Sequence, residues 1–148
     1  MTELKTISNT VLFEGIEEIL REGGSVTMRI KGSSMRPFVR NGRDTVTLNA
    51  LPAAGLQIGM VVLFRYGDNW LLHRLRNING SILVMKGDGN FRITEHVELT
   101  AAAGYASAIE RNNRTIIYGS WRWKLLTRYS LAVKALRTVW RDICHMWR

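Results

Sequence analysis

Ser33 and Ser34 stand together in Lys31-Gly32-Ser33-Ser34-Met35-Arg36-Pro37, directly after an alternating run that ends at Lys31. A serine hydroxyl attacks a carbonyl only if a base takes its proton and donors receive the oxyanion. The chain has three histidines to supply that base. His145 falls in a helical C-terminal stretch and His96 in a polar loop. His73 instead lies inside Trp70-Leu71-Leu72-His73-Arg74-Leu75, where strand alternation puts Leu71, His73 and Leu75 on one face. An imidazole flanked by leucines on an inward face is either a hydrogen-bonded core group or a base held for chemistry. A serine on a corner is either a polar turn residue or a nucleophile.

The elements that must position these residues change period twice. Asn9 or Thr10 can cap a short helix with Leu12, Ile16, Ile19 and Leu20 on one face, stopped by Gly23-Gly24. From there to about residue 118 the period is two. Residues 25–31 alternate with Val26, Met28 and Ile30 inward, and 45–49, 60–65, 70–76, 81–86, 105–110 and 114–118 read as further strands. Tyr66-Gly67-Asp68-Asn69 and Asn77-Ile78-Asn79-Gly80 read as hairpin turns. Short strands at this spacing predict a mainly β domain, a small barrel or sandwich, over residues 1–119. Beyond Tyr118 the period is helical. Leu125, Tyr129, Ala132, Val133, Leu136, Val139, Trp140, Ile143, Met146 and Trp147 fall in one apolar arc. Lys134, Arg137, Arg141 and Arg148 gather opposite them, so residues 120–148 are expected to form a basic amphipathic helix, unbroken or broken once.

Composition limits the choices. A chain of 148 residues with 46% hydrophobic content buries one core and leaves little room for a second. Cys144 is the only cysteine, which excludes an intramolecular disulfide and a cysteine-based zinc site. No apolar run has the length of a signal peptide or of a membrane span, so a cytoplasmic protein is expected. The net charge is +9, and residues 120–148 hold seven basic side chains against the single acid Asp142, so six of the nine charges belong to the C-terminal segment.

Taken in order, Gly32-Ser33-Ser34-Met35-Arg36-Pro37, Gly59-Met60-Val61-Val62-Leu63-Phe64, His73-Arg74-Leu75 and Lys86-Gly87-Asp88-Gly89-Asn90 resemble the successive boxes of the signal-peptidase family, in its Ser-His form. That resemblance covers about Gly32 to Asn90. It implies a β-barrel-like peptidase domain of the kind shared with LexA-like self-cleaving repressors. It assigns Ser34 as nucleophile and His73 as general base, with Ser33 helping to hold the oxyanion and Met35 and Pro37 shaping the substrate side. Lys86 and Asn90 shape the site, with Lys86 a weaker alternative base. Met60 replaces the usual acid of the second box, and Arg43 separates Gly42 from Asp44, which are normally adjacent. The orienting aspartate of the family has no exact counterpart, so Glu95 or Asp88 takes its place. The membrane helix of most signal peptidases has no counterpart before Gly32.

The implied activity is a serine endopeptidase that removes leader or signal-like peptides, with no metal or organic cofactor. The alternative is a non-catalytic relative that binds peptides or membrane through the same groove. The basic helix is expected either to lie on anionic membrane through residues 124–148 or to pack its apolar face on the β domain or on a second copy. Specific nucleic-acid binding is not expected, because residues 1–24 show no helix-turn-helix.

Overall fold

The computed structural model describes residues 9–146. Its elements are α1 (Asn9–Arg21), β1 (Ser25–Arg29), β2 (Thr45–Ala50), β3 (Val61–Tyr66), β4 (Asn69–Asn79), β5 (Ile82–Lys86), β6 (Glu95–Glu98), β7 (Ala102–Arg111), β8 (Arg114–Ile117) and α2 (Trp121–Met146). The protein is mainly β, a curled half-barrel of antiparallel strands with one helix before it and one after it. The strand order is β1-β2-β7-β3-β4-β5-β6, and β8 pairs with β7. The ten residues of β7 explain that branching. Its first half pairs with β3 through Tyr105 opposite Val62, and its second half pairs with β8 through Ala108 opposite Ile117.

Turn chemistry fixes the registers. Tyr66 pairs with Asn69, Asn79 with Ile82 and Arg111 with Arg114, so each hairpin has a two-residue loop. The last of these loops is Asn112-Asn113, with φ of 51° and 58°, the positive values that a twisted two-residue turn requires. Two expectations shift here. Asn77 to Asn79 belong to β4 and the turn falls at Gly80-Ser81; His96 lies in a strand, β6, and not in a loop.

Alternation divides the core between the two faces of the sheet. Val61 and Leu63 of β3 join Ile16, Leu20, Phe38, Val46, Leu48 and Trp123 in one cluster. Val62 and Phe64 join Met60, Leu75, Leu83, Met85 and Val97 in the other. The buried stripe of α1 is Phe13, Ile16 and Leu20, whereas Leu12 and Ile19, expected inward, are exposed. The proposed cap side chains of Asn9 and Thr10 lie outside the described residues, as does Trp147 of the apolar arc.

Ser120 opens α2, its hydroxyl accepting the N–H of Trp123 at 3.2 Å. The helix then runs unbroken to Met146. It docks on the β domain with the face opposite to its apolar arc: Trp123 and Ser130 are buried, while Leu136 and Trp140 stand in solvent. Packing of the apolar arc on the β domain is therefore overturned. Trp123 lies edge-on to Phe38 at 5.1 Å and to Tyr118 at 5.4 Å, which fixes the start of the helix to the core. No helix among the described residues is long and apolar enough to cross a membrane.

Candidate active site

Neighbours on a strand point to opposite faces, and on β4 that rule separates two polar residues, His73 and Arg74. Both are buried. His73 leaves β4 on the same face as Leu71 and Leu75, as the alternation predicts, and packs edge-on against Phe64 at 5.9 Å. Its Nδ1 lies 3.0 Å from Oε2 of Glu95, the first residue of β6 and itself buried. A carboxylate can only accept, so Nδ1 carries the proton and the lone pair of the neutral imidazole is on Nε2. Nε2 is buried and has no hydrogen-bond partner among the described residues.

The free nitrogen faces the serine corner. Continuing the β4–β5 register one step past Arg74 opposite Lys86 brings Gly87 beside His73. A Cβ placed on Gly87 would stand 3.2 Å from His73 Nε2 and 2.4 Å from the carbonyl oxygen of Ser34. Only a hydrogen fits there, so the imidazole and the Ser34 backbone close around this glycine. The next contact fixes the corner: the N–H of Gly89 donates to the Ser34 carbonyl at 2.8 Å. A Cβ on Gly89 would lie 2.5 Å from the Ser33 carbonyl oxygen. The two glycines of Lys86-Gly87-Asp88-Gly89-Asn90 are thus demanded by the close approach of the Ser33-Ser34 backbone.

The corner itself is a tight turn held from below. The Ser33 carbonyl accepts the N–H of Arg36 at 3.1 Å, and the Met35 carbonyl accepts the N–H of Val39 at 3.0 Å. Met35, Phe38 and Val39 are buried in the core, Pro37 is half-buried behind a cis peptide bond, and Ser33 and Ser34 are exposed. Met35, its side chain buried, anchors the turn in the core. Asn90 shapes the approach to Glu95, its Oδ1 accepting the N–H groups of Arg92 and Ile93 at 3.3 and 3.2 Å.

Asp88 is occupied elsewhere. Its Oδ1 accepts from Arg74 Nε at 2.8 Å and its Oδ2 from Arg74 Nη2 at 2.6 Å. Ser130 of α2 donates its hydroxyl to Oδ2 at 2.8 Å. The Arg74 fork also donates to the Gly59 carbonyl at 2.8 Å and lies over the Phe38 ring, 4.4 Å from its centre. Of the two carboxylates that the sequence leaves open, Glu95 is the one on His73. Lys86 ends β5 with Arg74 as its lateral partner.

Three participants were missed in the sequence: Arg74, Ser130 and Lys134. Lys134, half-buried, donates from Nζ to the Gly87 carbonyl at 2.8 Å, so α2 holds the same loop that touches Ser34 and His73. Burial, together with the cations Lys86, Arg76 and Arg74, lowers its pKa from 10.5 to about 8 against the opposing pull of Asp88. The spacing of Ser130 and Lys134, one helical turn apart, was visible in the sequence; their partners, more than forty positions away, were not.

Asp44, the displaced aspartate after Gly42-Arg43, is a structural centre. Its buried carboxylate receives Arg111 Nε at 3.1 Å and the Arg40 N–H at 2.8 Å. Burial alone would raise its pKa, but these hydrogen bonds and the two guanidinium charges outweigh it and hold the carboxyl below its ordinary value of 3.8.

Comparison with protein-family models finds no match for this chain, and comparison with curated proteins finds none.

Proposed function

We propose that the protein is a serine endopeptidase of the signal-peptidase type, acting on leader or signal-like peptides. One observation carries the reading: a buried histidine whose Nδ1 is held by a carboxylate keeps its other nitrogen unpaired, beside the main chain of an exposed serine. A buried polar atom left without a partner costs about 1–3 kcal/mol, and a merely structural histidine would be expected to satisfy it.

In this reading Ser34 Oγ attacks the scissile carbonyl carbon while His73 Nε2 takes the hydroxyl proton. Glu95 holds the Nδ1 proton throughout and stabilises the imidazolium. The tetrahedral oxyanion collapses, Nε2 passes its proton to the departing amine, and the acyl chain remains as an ester on Ser34. Water, deprotonated by the same nitrogen, then hydrolyses that ester. In this reading the Ser33 hydroxyl helps to hold the developing oxyanion. The reading goes with a cytoplasmic location, where precursor peptides are made.

The test is cleavage of a leader-peptide library by the intact chain, with small residues at the first and third positions before the cut. The intact chain should cleave and Ser34→Ala should not. A chain that binds such peptides without cutting them would be a non-catalytic relative.

A further inference from the structure

The docking of α2 leaves its apolar arc uncovered. Leu125, Tyr129, Leu136, Trp140, Ile143 and Met146 all face solvent, with Leu136 70%, Trp140 71% and Met146 81% exposed. On a wheel of about 100° per residue they form one stripe along the helix. The opposite stripe is the one that Trp123, Ser130, Lys134 and Arg141 use on the β domain, Arg141 lying over the Phe91 ring at 5.6 Å. A continuous apolar stripe of this length on a surface marks a docking face.

Charge identifies the occupant. Exposed Lys124 and Arg128 flank the stripe on one side and exposed Arg137 on the other, and Asp142 is the only acid in the helix, already paired with Arg141. A second copy laid along this stripe would set basic flank against basic flank, a like-charge juxtaposition that opposes pairing. Nucleic acid would satisfy the cations and leave the leucines and tryptophan in water. Anionic lipid satisfies both, because acyl chains accept the stripe and headgroups accept the flanks. At the start of the helix the same face opens into a groove of about 830 Å³ lined by Ile116, Trp121 and Leu126 together with the cations Arg114 and Arg122.

We propose that the solvent face of α2 is a docking surface for anionic lipid. The helix lies in the plane of the membrane surface, apolar stripe down, with the β domain carried on its other side. Since α2 holds Asp88 and the Gly87 carbonyl, the loop between Ser34 and His73 rides one helix diameter, about 10 Å, above the lipid. The lipid surface stands independently of the peptidase reading, since it is read by binding and not by turnover.

The experiment is sedimentation of the intact chain with vesicles of mixed phosphatidylcholine and phosphatidylglycerol, and with vesicles of phosphatidylcholine alone. The chain should sediment with the anionic vesicles at low salt, less at high salt, and weakly with the neutral ones. Leu136→Ser with Trp140→Ser should abolish binding at an unchanged melting temperature, because both side chains are exposed. Arg128→Gln and Arg137→Gln should each weaken it about fivefold. Absence of binding at low salt, or full binding by the Leu136→Ser, Trp140→Ser double variant, would overturn the proposal. So would a dimer in ultracentrifugation that this double variant dissolves, which would give the face to a second copy.

Discussion

His73 and Arg74 are adjacent in sequence, equally buried and each paired with a carboxylate, yet the two faces of β4 treat them differently. On one face Arg74 spends its donors on Asp88, the Gly59 carbonyl and the Phe38 ring, and Asp88 also accepts from Ser130. Neither Arg74 nor Asp88 keeps a buried side-chain polar atom without a partner among the described residues. On the other face Glu95 takes one nitrogen of His73, and the second has no hydrogen-bond partner among the described residues. The closed pair serves the fold, and in the proposed reading the open nitrogen of the other pair serves exposed Ser34.

The largest effect should fall on the open side. Ser34→Ala and His73→Ala are each expected to remove nearly all peptide cleavage, with the double variant little worse than either, since members of a catalytic unit are not additive. Ser33→Ala should cost far less. Cleavage rates of the four proteins at equal folded concentration read this directly.

Exchanging each acid for its amide comes next and separates the two sides. Glu95→Gln keeps the shape but can present an amide N–H to Nδ1 and turn the imidazole to the wrong tautomer. Turnover should fall about 10⁴-fold with little change in melting. Asp88→Asn leaves the Arg74 charge buried without its counter-charge and should cost about 3–5 kcal/mol of stability, read by denaturant titration. If Glu95→Gln instead melted far earlier at unchanged activity per folded molecule, the assignments of the two carboxylates would have to be exchanged.

Much of this contrast was legible in the residues themselves. The β4 alternation placed His73 inward with Leu71 and Leu75. β6 was not legible, because its inward positions are Glu95 and Val97 and an acid at a core position breaks the hydrophobic alternation by which strands are read. The docking of α2 was hidden for a related reason. Amphipathicity identifies a helix's apolar stripe correctly, but this helix binds the domain through Ser130 and Lys134, whose partners are set by tertiary structure. The same applies to Glu95 against Asp88: composition offers two carboxylates, and only the fold tells which one an imidazole meets.

The smallest effect concerns Lys134, which links the two sides by holding the Gly87 carbonyl from α2. Its pKa is about 8 when folded against an ordinary 10.5. Between those values the unfolded chain holds a proton that the folded chain has released, so this residue's contribution to stability rises with pH through that window. Relative to Lys134→Met, the intact chain should gain melting temperature from pH 8 toward 10.5, by a modest amount because the lysine is only half-buried. Asp44 acts in the same direction at the acid end. Its folded pKa lies below 3.8, so its stabilisation is complete above that value and is lost as pH falls through the folded pKa, a loss that Asp44→Asn should abolish.

The most direct measurement is covalent labelling of the intact chain with a fluorophosphonate, with the adduct located by mass spectrometry and its rate of formation compared in His73→Ala. A single adduct on Ser34, formed many-fold more slowly without His73, is the expected result. No adduct, an adduct on Ser33, or labelling of Ser34 at an unchanged rate without the imidazole would contradict the claim that the free nitrogen of His73 serves Ser34.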